Sequence, residues 1–172
     1  MAYSATLIRG VHSSLRQGLA FLECQEDEFL DARQKFDGLK VRWNERLRNQ
    51  FDYWVGGGIC KKYFHGWPDL PEYKECFVFK WKDAGTYHHF YGFLIHPRPE
   101  SDLRFRACVL VCYDWKNDES TDFTILNKIN RLRVKEEVIQ AVRDLFQTTE
   151  RGTRGAINPT FGARASLDRR KR

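Results

Sequence analysis

Apolar and polar residues alternate most regularly in the centre of the chain. Three segments carry this pattern, at residues 76–82, 87–95 and 105–114. Large apolar side chains recur there at every second position, which is the period of a strand with two different faces. The segments are joined by short connections, the first containing the turn residues 83–85. Because short connections join antiparallel neighbours, the pattern predicts an antiparallel meander.

Helical periodicity flanks these strands on both sides. Before them, large apolar residues recur at steps of three and four, at Phe36, Leu39, Trp43, Leu47, Phe51 and Trp54. This stripe predicts a helix, or a helical hairpin if Gly38 interrupts it, that ends at glycines 56–58. After the strands, Asp122 can cap a helix. Two further apolar stripes, at 126–132 and 138–146, predict two short helices or one bent helix.

The remaining segments complete the predicted domain. Residues 19–24 form a short apolar run that indicates a strand, and acidic residues at 25–28 favour a helix start. Residues 59–75 contain two prolines and predict an irregular connector whose aromatic side chains pack down. We therefore expect an α+β fold, a small antiparallel sheet packed against helices, over residues 1–147. A flexible, basic C-terminal tail is predicted for 148–172.

Composition narrows the classes of partner. The chain has 172 residues, 42% of them hydrophobic, and a net charge of +6. A basic protein of this kind suits nucleic acid, an anionic membrane surface or an acidic partner. The longest apolar run, 107–112, is far shorter than the ~20 residues that span a bilayer, so no membrane association is predicted. The number of cysteines, five, is odd, and no export signal precedes them. Both features favour reduced thiols in the cytoplasm.

Strand alternation separates two faces of the predicted sheet. One face is apolar and comprises Phe77, Phe79, Trp81, Phe90, Leu94, Val109, Val111 and Tyr113. The other face carries Val78, Lys80, Lys82, His89, Tyr91, Phe93, Arg104, Arg106, Cys108 and Cys112. Its charges are all positive and lie among aromatic rings, a combination that suits phosphates and unpaired bases. The alternative is the solvated side of an amphipathic sheet.

Motifs for other chemistry are absent from the sequence. The cysteines and histidines lack the C-x-x-C and H-x(3–5)-H spacings of zinc sites. No phosphate-binding glycine loop, dinucleotide motif or nucleophile elbow occurs, so neither a metal nor a cofactor is expected. The aromatic residues of the connector, among them Tyr63 and Trp67, offer an alternative interpretation as a protein-binding surface.

The order of a strand, a helical segment, three antiparallel strands and a C-terminal helix resembles the RelE/ParE-type toxins of bacterial toxin–antitoxin pairs. The stretch from Lys80 through Gly85 to residues 91–98 is similar in style to their central hairpin. The resemblance covers about residues 19–147. It implies a RelE-like arrangement and cleavage of ribosome-bound messenger RNA without a metal. It also implies an antitoxin as protein partner.

The resemblance further implies roles for individual residues. Cleavage would proceed by attack of the 2′-OH on the adjacent phosphate, with a base, an acid and cations around it. His89, Tyr91 and Lys80 would be catalytic, because they share the basic face. The remaining RNA contacts would come from Lys82, Arg106, Arg98 and Arg104, with His88, His65 and Lys61 next in line. The alternative function is a non-catalytic RNA-binding or protein-interaction module within a larger assembly.

Overall fold

A six-stranded sheet crosses the domain, and helices pack on both of its faces. The computed structural model describes residues 1–8, 16–98 and 104–154. In chain order the strands are β1 (Ser4–Leu7), β2 (Gln17–Glu23), β3 (Phe64–Gly66), β4 (Cys76–Asp83), β5 (Thr86–Ile95) and β6 (Arg106–Lys116). The helices are α1 (Ala32–Asp37), α2 (Val41–Val55), α3 (Phe123–Arg133) and α4 (Glu136–Arg154).

The strand order across the sheet is β1-β2-β6-β5-β4-β3. The predicted α+β class and the antiparallel meander of β4, β5 and β6 are confirmed. The sheet as a whole is mixed, however, because β2 pairs in parallel with β6. A parallel pair needs a long crossover, and here the chain leaves β2 through α1 and α2 before it reaches the far edge of the sheet. The prediction of a purely antiparallel sheet is therefore wrong.

The helix boundaries follow local signals in the sequence. The Gly38 backbone N–H donates to the Gln34 carbonyl at 3.1 Å, and α2 starts three residues later, so the interruption at Gly38 is confirmed. Asp122 caps α3 by accepting from the backbone N–H groups of Thr124 and Ile125 at 2.8 and 3.3 Å. The chain then forms two separate helices.

The helix α4 continues to Arg154, so the first part of the segment predicted as a tail is helical. Residues 155–172 lie outside the described part of the chain.

Two segments differ from the sequence prediction. Residues 25–28 form a turn, and α1 begins only at Ala32, because the acidic run has no apolar stripe that would bury a helix there. The connector 59–75 contains β3 and a single 3-10 turn at Pro71–Tyr73. The strand β3 pairs with β4, which gives the backbone polar groups of this aromatic segment regular partners.

Each face of the sheet has its own apolar core. On one face Phe36, Leu47, Phe51 and Trp54 of α1 and α2 pack against strand side chains such as Phe79. On the other face α3 packs on β4 and β5, and α4 packs on β1. The apolar side chains that these two helices bury there are Leu126, Ile129, Leu132, Val138, Val142 and Phe146. Helices therefore cover both faces, whereas the sequence predicted one covered face. No helix in the described ranges is long and apolar enough to cross a membrane.

A β-bulge changes which side chains of β6 face each core. Gly92 pairs with Leu110 and Tyr91 pairs with Cys112, so Val111 is an extra residue between them. Because of this extra residue, the side chains of β6 that precede the bulge face the opposite side of the sheet from the predicted one. Cys108 therefore belongs to the α1/α2 core and Val109 to the α3/α4 core, opposite to the prediction.

Side chains beyond the bulge follow the predicted alternation again. Tyr113 packs against the α1/α2 core, and Cys112 belongs to the α3/α4 core. Val111 itself lies in the α3/α4 core, which corrects its predicted face.

The bulge brings the β6 backbone close to Gly92. A Cβ added there would overlap the Val109 carbonyl oxygen and would lie 3.0 Å from the Leu110 Cα. Since both are backbone atoms in the middle of the sheet, neither can move cheaply. We expect Gly92→Ala to lower the free energy of unfolding by roughly 1–3 kcal/mol or more, as urea denaturation would measure. The control is Gly38→Ala, where an added Cβ makes only ordinary contacts. Equal effects of the two substitutions would contradict this account of the bulge.

Candidate nucleic-acid interface

The α3/α4 layer covers only part of its face of the sheet. The last apolar row beneath it consists of Val78, Tyr91 and Cys112 on three adjacent strands. The next row along the strands is Lys80, His89 and Asp114, and the row after it is Lys82, Tyr87 and Lys116. These six residues lie beyond the last apolar row, and we call them the open sheet end.

Three lysines give the open sheet end its positive charge. Lys80 and Lys116 are half-buried, and Lys82 is exposed. The Lys82 ammonium donates to the Tyr87 hydroxyl at 2.9 Å and lies 4.4 Å from the centre of the Tyr87 ring. None of the three lysines forms an ion pair within the described ranges. Their charge is therefore available to an anion that binds across the strands.

His89 lies at the boundary between the buried and the open rows. Its side chain is only 4% exposed, and its Nδ1 atom has no hydrogen-bond partner among the described residues. Burial, together with the nearby cations Lys116 and Lys80, lowers the pKa of His89 to about 4. The imidazole is therefore neutral at neutral pH. It can accept a proton only where a ligand or an approaching substrate group compensates the cost of charging it.

Tyr91 is buried rather than exposed. Its side chain is 1% exposed and lies in the row beneath the α3/α4 layer. Burial and the carboxylates of Asp114 and Asp122 raise the pKa of Tyr91 well above its usual value. The phenol therefore stays protonated, and the expectation that Tyr91 stands on an exposed face is wrong.

A series of aromatic rings extends from the open sheet end to the edge strand β3. The rings of His89 and Tyr91 are stacked at 5.5 Å, and Trp67 stacks on Tyr91 at 6.4 Å. His65 meets Trp67 edge to face at 4.9 Å. Burial and the cations Lys80 and Lys61 lower the pKa of His65. The series forms a partly exposed aromatic border beside the lysines.

The predicted arginines lie away from the open sheet end. The Arg106 guanidinium is 5.9 Å from the Trp54 ring, on the α1/α2 side of the sheet. Arg98 donates to the Phe146 carbonyl at 2.8 Å and stacks 4.0 Å above the Phe105 ring. Arg104 is exposed just before β6. At about 3.3 Å per residue, the start of β6 is roughly 26 Å from Asp114.

His88 also faces the other side of the sheet. Its ring stacks on Trp81 at 4.7 Å, and its Nδ1 atom lies 2.6 Å from the Tyr113 hydroxyl oxygen. Burial lowers the pKa of His88, and Asp83 acts in the opposite direction. The structure thus brings His89, Lys80 and Lys82 together, and it separates them from the three arginines and from His88.

Three residues of the open sheet end, Tyr87, Asp114 and Lys116, were not predicted from the sequence to lie on this face. The signal was present, because Cys112, Asp114 and Lys116 follow a period of two. The predicted strand ended at residue 114, whereas β6 continues to Lys116. Trp67, which lies in the predicted irregular connector, had no periodicity that would place its ring beside Tyr91.

Within the described ranges, no group of three or more His, Cys, Asp or Glu side chains is arranged to hold a metal ion. Comparison of the chain with protein-family models, curated proteins and solved structures found no match.

The buried His89 makes the stability of the protein depend on pH. Its pKa is about 4 in the folded protein and 6.5 without burial, so the unfolded chain binds more protons between these values. The contribution of the neutral His89 to the free energy of unfolding is therefore fully present above pH ~6.5 and is lost as the pH falls towards ~4. We expect His89→Gln to reduce the loss of unfolding free energy between about pH 7 and about pH 4.5 by roughly 1–3 kcal/mol.

Urea denaturation at the two pH values measures this effect. The matched control is His96→Gln, which changes an exposed histidine. An unchanged pH dependence in His89→Gln would contradict the assignment of a neutral, buried imidazole.

Proposed function

We propose that this protein binds single-stranded RNA at the open sheet end. The observation that carries the proposal is the arrangement of Lys80 and Lys82 on β4 and Lys116 on β6, on either side of β5. Among the described residues, none of the three has an acidic partner in an ion pair. Lys80 and Lys82 are two residues apart on one strand, a separation of roughly 7 Å. Such a group of cations can contact successive phosphates of one nucleic-acid strand.

Aromatic side chains beside the lysines favour single-stranded over duplex RNA. Tyr87 lies between Lys82 and Lys116 in the outermost row. The half-buried His65, which meets Trp67 edge to face, pairs with Val78, two residues from Lys80. Unpaired bases expose their ring faces and stack on such side chains, whereas bases inside a duplex do not. An RNA partner is consistent with a cytoplasmic location, which belongs to the same proposal.

Metal-independent cleavage of the bound RNA is a second candidate function. It is favoured by the position of His89 directly between Lys80 and Asp114 on neighbouring strands. A phosphate held by Lys80 would lie beside this neutral imidazole, and the negative charge of the phosphate would raise the affinity of the ring for a proton. Asp114 would favour the same protonated form. His89 could then take the 2′-OH proton as a general base.

The order of the elements also supports this second candidate. A strand (β2), a helical hairpin (α1 and α2), three antiparallel strands (β4 to β6) and a helix (α3) occur in the order that the resemblance to RelE/ParE-type toxins implies, with β3 inserted before β4. A messenger-RNA endoribonuclease of this type would be held inactive by a protein antitoxin. Tyr91 has no proton-transfer role in this proposal, because it is buried beneath the α3/α4 layer.

Salt-dependent binding tests the first proposal. We expect Lys80→Ala, Lys82→Ala and Lys116→Ala each to weaken the binding of a single-stranded RNA oligonucleotide. Each should also reduce the slope of log affinity against log salt by about 0.7, because fewer counterions are released. Fluorescence anisotropy between about 50 and 200 mM salt measures both quantities. Lys35→Ala, which removes an exposed lysine of α1 on the opposite side of the sheet, should leave the slope unchanged.

RNA cleavage distinguishes the two candidates. If His89 transfers the proton, His89→Gln should slow cleavage by roughly 10²–10⁴-fold, while RNA affinity falls by no more than about tenfold, the share of one lost hydrogen bond. EDTA should not affect the rate, since no metal takes part. Mapping of RNA ends after incubation measures the activity. Intact RNA that is nevertheless bound by the unmodified protein would leave the non-catalytic binding module as the function.

A further inference from the structure

A cavity lies on the opposite side of the edge strand β3 from the open sheet end. It has a volume of about 460 Å³ and is bounded by α2 and by the segment that leads into β3. The side chains that line it include Arg46, Gln50, Tyr53, Ile59, Cys60 and Tyr63. Among the described residues that line the cavity, Arg46 is the charged one, and none carries a carboxylate. The volume falls within the range of pockets that bind small molecules, about 300–1,000 Å³.

Gln50 provides an unexplained polar group in this lining. Its side chain is 6% exposed, and neither the amide nitrogen nor the amide oxygen has a hydrogen-bond partner among the described residues. Buried side-chain amides in native proteins are nearly always satisfied, because an unpaired donor or acceptor costs free energy. A leucine would fill the same space at this position without that cost. The amide is therefore better explained by a ligand than by the packing of α2.

The rim of the cavity exposes flat and apolar side chains. Tyr53 is 54% exposed and Ile59 is 84% exposed, so solvent surrounds much of both side chains. Tyr63 is half-buried, and the Arg46 guanidinium lies 5.8 Å from the centre of its ring. The amide atoms of Gln50 are closed to solvent, so a ligand reaches them only when side chains above them move. Exposed side chains at the rim can move at little cost.

We propose that this cavity binds one unpaired nucleobase of the RNA. The base would pack against Tyr63 and Tyr53, and its Watson–Crick edge would pair with the amide of Gln50. Every nucleobase presents a neighbouring donor and acceptor on that edge, and a glutamine amide offers the complementary acceptor and donor. Arg46 would then contact the phosphate or the face of the base. This inference rests on the proposed RNA-binding function and adds the place where a base is held.

The position of the cavity relative to the lysines suits a continuous strand of RNA. The backbone N–H of Lys80 donates to the Tyr63 carbonyl at 2.8 Å, so one backbone pairing joins the cavity wall to the open sheet end. Lys61 and Lys62 are exposed between Cys60 and Tyr63, on the chain that connects the two places. A single strand could therefore cross the edge at β3, with phosphates on the lysines and one base in the cavity.

Mononucleotide binding tests the base site separately from the RNA surface. We expect the full chain to bind AMP and not ribose 5-phosphate, because the base supplies the ring and the hydrogen-bonding edge. Gln50→Leu should weaken AMP binding at least about tenfold, since a good bidentate pair with a base contributes that much discrimination. The same substitution should leave the thermal midpoint unchanged or raise it, because it removes an unsatisfied buried amide. Gln34→Leu, at an exposed position of α1, is the matched control.

Thiol labelling of Cys60 provides a measurement that needs no change in the cavity. Cys60 lines the cavity and is half-buried; Cys24 is also half-buried, and the other three thiols are buried. In a Cys24→Ser background, AMP at about ten times its Kd should slow the labelling of Cys60 by a maleimide roughly tenfold, because only the free protein reacts. Unchanged labelling, or equal protection by ribose 5-phosphate, would overturn the nucleobase site.

The outcomes separate failure of this inference from failure of the proposed function. If AMP binds in a Gln50-dependent way and RNA does not bind, the open sheet end is not an RNA surface, and the base site stands. If RNA binds through the lysines but AMP does not bind, the base site is wrong and the proposed function stands. A Gln50→Leu variant with a lowered thermal midpoint and unaltered AMP affinity would show that the amide has a structural role, and it would overturn the site.

Discussion

The partial cover that α3 and α4 provide over one face of the sheet is the constraint on which the rest of the structure depends. The helices bury the row of Val78, Tyr91 and Cys112, and the strands continue beyond that row. Apolar side chains can occupy only the covered rows, because an exposed apolar row would keep its surface in water. The rows beyond the helices instead carry lysines, whose charged groups can remain in water. His89 stands at the limit itself, which explains both its burial and its lowered pKa.

The second face of the sheet is covered further along β4 than the first. Aromatic side chains of α1 and α2 contact those of β4 closely, for example Phe51 against Phe79 at 4.8 Å in an edge-to-face arrangement. Even Trp81, two residues from the end of β4, is buried there. The two faces of one strand therefore differ in function. One face of β4 anchors the helical hairpin, and the other presents Lys80 and Lys82.

Unsatisfied buried polar groups link the two proposed sites. The Nδ1 atom of His89 and the amide of Gln50 both lack partners among the described residues, and each lies beside positively charged side chains. Each group lowers the stability of the free protein, because its hydrogen bonds to water are lost on folding. A ligand that supplied the missing partners would recover that free energy on binding. The same physical argument thus supports a phosphate beside His89 and a base beside Gln50.

The sequence by itself determined the local elements of this protein. The strands at 76–95, the interruption at Gly38 and the Asp122 cap follow from periodicity and from backbone preferences that act over a few residues. Tertiary structure alone decided which face of the sheet each side chain of β6 joins. The extra residue Val111 reverses the alternation of faces, and nothing in the sequence marks this bulge. It also decided that β2 lies parallel to β6 and that Tyr91 is buried. These features depend on which elements, distant in sequence, pack against each strand. Hydrophobic periodicity shows that a side chain is buried but does not show which element buries it.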